Sequence, residues 1–375
     1  MNIIMLDNPF VLYGYEGPEN FCDREQESQS IKDGLYNGSH ICVISPRRMG
    51  KTGLVHHVLQ QIRNERKDAR CFYVDIYSTK DLSDFVRQIA KSIIGKLDTP
   101  LQKAESFATQ FFKGTQLTVS TDVFTGLPKW GISFQPHETE YTLDQLFDYI
   151  AQSGRECYVA IDEFQQINEY PEKNVEALLR THVQNARNVH FIFLGSKLHM
   201  MSAMFNSPKH PFFKSTEQLA LSALNEDVYF TFAQERLLRK NVVLPKEIFE
   251  KLYAQVDGVT WYIQAVLNML YRLENIQVDE QILLNSICQV IMLQEAGYRQ
   301  QYDVLTQTQA KLLLAVAQEG RVKAIRASSF IQRYHLKSGS IDRALDYLLN
   351  NEYIYRAENE YVVYDRFFGL WLKEQ

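Results

Sequence analysis

The sequence predicts an α/β fold: a three-layer domain built on a parallel sheet, followed by an all-α region and a small C-terminal domain. The first observation is that, up to about residue 221, short apolar runs alternate with stretches in which apolar residues recur at helical spacing. Such alternation predicts parallel strands joined by right-handed helical crossovers. The second observation is that, from about residue 222, apolar residues recur mainly at helical spacing. The third is that the last segment predicts three helices followed by a β-hairpin.

The strands of the sheet are predicted from apolar runs without the polar alternation of a half-buried strand. Because both faces of a parallel sheet are covered by helices, its strands read as continuous hydrophobic runs. The predicted strands are 41–44, 70–76, 157–161 and 189–196.

Size and composition are those of a globular protein. The chain has 375 residues, of which 45% are hydrophobic and 23% charged, and a formal net charge of −5. This length predicts two or three domains. The charge argues against a general affinity for nucleic acid or anionic membranes, although a local basic face stays open.

The lack of recognisable targeting signals and the pattern of cysteines predict a cytoplasmic protein. No apolar run approaches the roughly 20 residues needed to span a bilayer, and residues 1–7 show no signal peptide. The five cysteines are widely spaced, and three of them fall on predicted strands. We therefore expect buried thiols rather than disulfides or metal ligands.

A loop at residues 45–52, Ser-Pro-Arg-Arg-Met-Gly-Lys-Thr, lies between a predicted strand and a predicted helix. In this context the Walker A pattern binds nucleotide phosphates through backbone N–H groups and the helix N-terminus. Lys51 would reach the β- and γ-phosphates, and the Thr52 hydroxyl would hold Mg²⁺. The sequence therefore predicts ATP or ADP with Mg²⁺. The predicted nucleotide contacts of the loop are Ser45, Pro46, Arg47, Arg48, Met49, Gly50, Lys51, Thr52 and Gly53.

The loop departs from the usual motif at its first position, where Ser45 replaces glycine. A glycine relaxes the backbone where the loop begins to wrap the phosphate, so serine serves there only if its φ angle stays negative. A Gly-Lys-Ser/Thr tripeptide also arises by chance in roughly one chain in five of this length. The alternative is a plain turn between a strand and a helix.

A second motif follows at residues 157–163, where an apolar run ends in Asp162 and Glu163. The carboxyl ends of parallel strands open onto the ligand crevice, as expected for a Walker B strand. Asp162 would hold Mg²⁺ through water, and Glu163 would orient or deprotonate the attacking water. The alternative is a solvated acidic turn. The two motifs in this order make coincidence improbable.

The run at 189–196 ends in small polar residues at the same predicted edge of the sheet. Ser196 would lie near a γ-phosphate and could sense its presence as part of the catalytic group. A turn-forming serine is the equal alternative, and the adjacent Lys197 is ambiguous in the same way.

The chain is predicted to contain three domains, at residues 1–221, 222–300 and 301–375. The first includes an N-terminal segment with one helix and a β-hairpin insertion near 116–135, which either binds a partner or packs on the sheet. The third carries three helices and then two strands near 353–355 and 361–364, which is the order of a winged helix.

The chain resembles the prokaryotic AAA-type ATPases of the STAND group. It is similar above all to the archaeal-type ATPase-domain family, whose relatives include origin-recognition ATPases. The segments that carry this resemblance are 21–25, 46–52, 161–165, 194–196 and 361–371. The resemblance implies a P-loop NTPase three-layer domain, a helical lid and a winged helix.

The family pattern also implies contacts to the nucleotide base. Phe21 and Arg24 would lie close to the adenine edge, with a surface helix-start residue as the equal alternative for Arg24. Gly258-Val259-Thr260 stands where the family has Gly-x-Pro, so Thr260 becomes a candidate contact without the usual proline. An arginine often completes such sites electrostatically, and Arg180 and Arg187 are the candidates. Arg47 and Arg48 would touch phosphate, a neighbouring subunit or solvent.

The favoured interpretation is a signalling or regulatory ATPase. Its nucleotide state would bias the packing of the lid and the winged helix, with slow turnover. A protein partner fits this interpretation, and no membrane partner is expected. One alternative is a DNA-binding ATPase that reads duplex with the helix at 338–350. Basic and acidic residues are nearly balanced in the last domain, which makes DNA the weaker partner. The other alternative is a catalytically inactive nucleotide sensor, motivated by Ser45 and Thr260.

Overall fold

The computed structural model describes residues 8–94, 96–97, 116–121, 128–133, 139–357 and 359–375. They form two units. One is Tyr13–Leu224, and the other joins residues 8–12 to Asn225–Gln375. The three domain boundaries expected from the sequence remain a prediction.

The first unit is organised by a five-stranded parallel sheet in the order β2-β5-β6-β1-β7. β3 and β4 pair antiparallel outside this sheet, with Thr121 opposite Pro128. The turn predicted at 126–128 falls mostly outside the described residues. The strands of the unit are β1 (Ile41–Ile44), β2 (Arg70–Asp75), β3 (Gln116–Thr121), β4 (Pro128–Ser133), β5 (Cys157–Asp162), β6 (Val189–Gly195) and β7 (Glu217–Ala220).

Helices cover both faces of this sheet. Because alternate residues of a strand point to opposite faces, β5 supplies two separate cores. Val159 and Ile161 belong to one core and Tyr158 and Ala160 to the other. Each large side chain buried in this way contributes about 1.5–3 kcal/mol. The helices are α1 (Glu25–Tyr36), α2 (Lys51–Glu65), α3 (Leu82–Ile93), α4 (Thr139–Gln152), α5 (Val175–Asn185) and α6 (Leu198–Asn206).

The second unit is mainly helical and ends in the expected order of a winged helix. Its last two strands pair antiparallel, and Val322 adds a bridge to Tyr361. Its helices are α7 (Glu226–Leu237), α8 (Lys246–Gln255), α9 (Thr260–Leu270), α10 (Glu280–Asp303), α11 (Gln307–Glu319), α12 (Ser328–Arg333), α13 (Ser338–Asn350) and α14 (Arg366–Lys373). Its strands are β8 (Val242–Val243), β9 (Ile276–Gln277), β10 (Ile354–Ala357) and β11 (Glu360–Val363).

Residues 8–12, which the sequence assigns to the first domain, pack within the second unit. The Asn8 side-chain amide donates to the Asn268 carbonyl at 3.0 Å, and the Asn268 amide donates to the Phe10 carbonyl at 2.9 Å. The Phe10 ring is fully buried, edge-on to Phe232 and Tyr271. A hydrogen-bonding partner about 260 residues away in the chain cannot be predicted from the local sequence. Within the described ranges, no helix is both long enough and apolar enough to cross a membrane.

Candidate functional site

The loop between β1 and α2 combines a buried lysine with a helix N-terminus. Lys51 is the first residue of α2 and is 7% exposed. Gly50 precedes it in the left-handed region, with φ 88°, which glycine adopts at little cost. An ammonium group and the positive end of a helix dipole at one place suit a polyphosphate ligand.

Ser45, the residue that replaces the first glycine of the motif, fits the loop. Its φ angle lies outside the left-handed region, so the position does not require glycine. Its side chain is 1% exposed, and its hydroxyl donates to the Pro46 carbonyl at 3.1 Å. The backbone condition set by the sequence is therefore met.

Asp162, at the carboxyl end of β5, lies in direct contact with the loop. Thr52 Oγ1 donates to Asp162 Oδ2 at 3.0 Å, although the two residues are 110 positions apart. The Glu163 amide donates to Asp162 Oδ1 at 2.8 Å. The structure therefore brings together the two residues that the sequence assigns to the metal.

A hydroxyl and a carboxylate form an oxygen pair of the kind that Mg²⁺ takes from proteins. Mg²⁺ usually keeps several waters and binds one or two carboxylates together with substrate phosphates. In the described part of the chain, no group of three or more His, Cys, Asp or Glu side chains is placed to hold a metal by itself. Thr52 and Asp162 thus fit Mg²⁺ when water and phosphate oxygens complete its coordination.

Glu163, Ser196 and Arg47 form a second set of contacts at the same edge of the sheet. The Ser196 hydroxyl donates to the Glu163 carboxylate, with its Oγ 2.9 Å from Oε2 and 3.1 Å from Oε1. Arg47 Nε donates to Ser196 Oγ at 3.4 Å. The Gln165 amide also donates to Glu163 Oε2. The three residues predicted from separate motifs therefore meet, and the carboxylate of Glu163 already accepts two donors.

Three non-glycine residues around the site adopt left-handed backbone conformations. Arg24 has φ 74°, Arg48 φ 70° and Glu163 φ 55°. Such conformations cost on the order of 1–3 kcal/mol each and cluster at functional sites. Nine further non-glycine residues in the described part of the chain share this conformation, so it does not by itself distinguish this edge of the sheet.

Phe21 and Arg24 both lie against the loop and α2. The Phe21 ring stacks on His57 at a centroid distance of 4.3 Å, and a side chain built on Gly53 would meet Phe21 at 3.7 Å. Arg24 is 5% exposed and donates to the carbonyls of Met49 at 3.5 Å and Ser222 at 2.7 Å. Arg24 is therefore buried rather than on the surface, at the start of α1, and its contact with the base stays a prediction.

The remaining candidates are more dispersed. Thr260 begins α9 in the second unit, and its role stays a prediction. Arg180 lies on α5, and Lys197 pairs with Glu169 at 3.8 Å. Arg187 precedes β6 and so lies at the amino edge of the sheet. A seven-residue strand spans about 20 Å, so Arg187 cannot reach a ligand at the carboxyl edge of its own chain.

Sequence reasoning missed Tyr73, whose hydroxyl donates to Asp162 Oδ2. Burial, and then the Asp162 charge, raise the pKa of Tyr73 well above its usual value, so the hydroxyl stays a donor. It also missed Asp75, which lies opposite Asp162 in the sheet register. Burial, and then the like charges of Asp162 and Glu163, raise the pKa of the Asp75 carboxyl. Only the register of β2 against β5 reveals either residue.

Comparison with known families identifies the class of protein. Residues 21–266 match the family described as an ATPase domain predominantly from Archaea. Because this match covers more than half of the chain, the protein belongs to that family. Residues 296–374 match a probable winged helix domain. The P-loop NTPase fold with a C-terminal winged helix, expected from the sequence, is confirmed.

Solved structures resemble the chain over nearly its whole length. The Walker-type ATPase of Pyrococcus abyssi is 18% identical, with a TM-score of 0.67 over 97% of this chain and 99% of that chain. The ORC2 protein of Aeropyrum pernix in ADPNP-ADP complexes is 15% identical, with a TM-score of 0.57 over 93% and 91% of the two chains. Its ADP form gives 14% identity and a TM-score of 0.53 over 97% and 98%. At these identities the likeness concerns the fold alone. No curated protein matches the chain. Membership of the ATPase family supports an ATP-binding ATPase.

Proposed function

We propose that the chain is a slowly hydrolysing regulatory ATPase of the AAA/STAND type, whose nucleotide state controls the packing of the lid (222–300) and the winged helix (301–375). The observation that carries this proposal is the contact of Thr52 with Asp162 beside the buried Lys51. The same proposal places the protein in the cytoplasm, where ATP is abundant.

Nucleotide binding is assigned to the loop 45–53. Its backbone N–H groups and the N-terminus of α2 would hold the phosphates, and Lys51 would neutralise part of their charge. Thr52 and Asp162 would hold Mg²⁺, which supplies further positive charge to the phosphates. Phe21, which lies beside Gly53, would contact the base from the side of α2.

Hydrolysis is assigned to Glu163. Its carboxylate would orient the attacking water and accept its proton, but in this structure it accepts hydrogen bonds from Ser196 and Gln165. Each donor occupies an acceptor position that the attacking water would otherwise use. A γ-phosphate that attracted Ser196 would free one position on Glu163. Turnover that waits for this exchange would be slow, as suits a switch.

Coupling to the winged helix is assigned to the start of α9. The Tyr262 hydroxyl accepts from the Arg366 amide at 3.1 Å, and its ring packs on Phe367 at 4.8 Å. Asp257, just before α9, pairs with Arg321 and with Arg366, each at 2.7 Å. If Thr260 responds to the nucleotide, these contacts carry the displacement to the winged helix within the second unit.

Steady-state phosphate release tests the proposed hydrolysis. Glu163→Gln should reduce the rate by at least about 100-fold, because general-base catalysis contributes roughly that much. Nucleotide affinity should change little, since the variant keeps Lys51, Thr52 and Asp162. Equal rates for the two proteins would contradict the role assigned to Glu163, and no release from either would indicate an inactive nucleotide sensor.

DNA binding is a second candidate, favoured by the winged-helix match. The charges near α13 weigh against it, because Arg326 pairs with Asp342 at 2.6 Å and Arg333 pairs with Glu319. Retention of the protein on random duplex at low salt, lost as the salt rises, would support DNA contact. No retention at low salt leaves the packing role.

A further inference from the structure

Tyr73 occupies a position that determines how Asp162 can bind a cation. It lies on β2 opposite Ala160, two residues before the pair formed by Asp75 and Asp162. The ring packs against the core beneath α2 and lies 4.3 Å from the His56 ring, tilted by 34°. These contacts direct the hydroxyl toward Asp162 Oδ2.

The carboxylate of Asp162 has few acceptor positions left. An ionised carboxylate offers about four lone-pair sites. The hydroxyls of Thr52 and Tyr73 both use Oδ2, and the Glu163 amide uses Oδ1. Asp162 is only 6% exposed, so these donors also replace the water that the charge would otherwise attract.

Cations differ in how much of a carboxylate they need. Mg²⁺ loses its waters reluctantly and often contacts a protein through them. Ca²⁺ is more often coordinated directly by carboxylates, which bind it in monodentate or bidentate fashion. A carboxylate in which one oxygen already accepts two hydrogen bonds therefore suits hydrated Mg²⁺ better than Ca²⁺. Removing the Tyr73 hydroxyl would free a position on Oδ2 and make the carboxylate a stronger acceptor.

We propose that Tyr73 is a positioning residue that restrains Asp162 and thereby favours Mg²⁺ over the larger Ca²⁺ when a nucleotide is bound. This inference rests on the proposed nucleotide function of the same site. It assigns to β2 a role in cation selection that neither phosphate-binding motif contains.

The test compares Tyr73→Phe with the unaltered chain. The affinity for a non-hydrolysable ATP analogue is measured without metal, with Mg²⁺ and with Ca²⁺. Tyr73→Phe keeps the ring that packs on His56, and its melting temperature without ligand verifies folding. In Tyr73→Phe, Ca²⁺ should tighten analogue binding more than it does in the unaltered chain. The ratio of the Ca²⁺ effect to the Mg²⁺ effect should rise by about tenfold or more, since one hydrogen bond to a charged group is lost.

Tyr77→Phe is the matched control, because Tyr77 follows the same strand and is 62% exposed. It should leave the ratio of the Ca²⁺ and Mg²⁺ effects unchanged. The same unchanged ratio in Tyr73→Phe would overturn the inference while leaving nucleotide binding intact. An unaltered chain that binds the analogue equally with and without metal would overturn the proposed metal site as well.

Discussion

At the scale of single residues, Gly195 allows the end of β6 to approach Glu163. A Cβ atom built on Gly195 would lie 2.4 Å from Gln165 Oε1 and 2.4 Å from Met201. Gln165 in turn donates to Glu163. The absence of a side chain at Gly195 therefore leaves room for the Gln165 side-chain amide, which donates to Glu163.

Gly195→Ala should displace Gln165 or Met201 and lower the free energy of unfolding by about 1–3 kcal/mol, the usual cost of overpacking. Urea unfolding measures this change, and phosphate release reports the effect on Glu163. Gly297→Ala is the control, because a Cβ there meets nothing within 4 Å on helix α10. It should be neutral or stabilising by up to about 1 kcal/mol. Equal effects of the two substitutions would contradict this account of Gly195.

His40 adds a pH dependence at the opposite edge of the sheet. Burial, and then the neighbouring His190, lower the pKa of His40 from 6.5 to about 4. His40 Nδ1 accepts from the Phe191 amide at 3.2 Å, which requires the neutral ring. Because the unfolded chain takes up a proton below pH 6.5 and the folded chain only near pH 4, stability is lost as the pH falls through this window.

Lowering the pH from 7.5 to 5 should therefore cost roughly 2 kcal/mol through His40. Urea unfolding at the two values should show a smaller loss for His40→Asn, which keeps an acceptor near Phe191. Identical losses in both proteins would show that His40 does not titrate in this window. Measurement at pH 8 verifies that the variant folds.

At the scale of elements, helix α14 illustrates what local sequence reveals and what it hides. Residues 366–373 were not predicted to be helical, although Asp365 and the apolar residues after it are typical of a helix start. The Asp365 carboxylate accepts from the amides of Phe367 at 3.0 Å and Phe368 at 3.1 Å. The helix then buries Phe367, Phe368, Trp371 and Leu372.

Asp365→Ala should destabilise the second unit by about 1 kcal/mol, the usual cost of losing an N-cap acceptor. Asp365→Asn keeps an acceptor and should cost much less, which makes it the matched control. Thermal unfolding of the three proteins gives the comparison. If both substitutions cost the same, the negative charge rather than the cap hydrogen bond stabilises the helix.

The sheet shows the same division between local and long-range information. Strands β1, β2, β5 and β6 could be predicted because continuous apolar runs identify buried parallel strands. β7 was missed because this short strand has no apolar run, and Glu217, Gln218 and Ala220 are exposed. The contact of Thr52 with Asp162 followed from two known motifs. The hydrogen bond from Tyr73 could not follow, because it depends on the register of β2 against β5.

At the scale of the whole molecule, the chain divides into a sheet unit that carries the candidate site and a helical unit that carries the winged helix. The proposed function requires that nucleotide binding stabilises the folded chain. A ligand that binds only the folded state stabilises it by about 2.7 kcal/mol at 100 times its Kd. Stabilisation of the full chain is therefore the most direct measure of the site.

The decisive measurement is the melting temperature of the full chain with and without ATP and Mg²⁺, in the unaltered protein and in Lys51→Ala. We expect a clear upward shift for the unaltered chain and none for Lys51→Ala, because the buried ammonium group of Lys51 neutralises the phosphates. Lys67→Ala, an exposed lysine outside the site, should keep the full shift. An equal shift in Lys51→Ala would contradict the central claim that the loop before α2 binds the nucleotide.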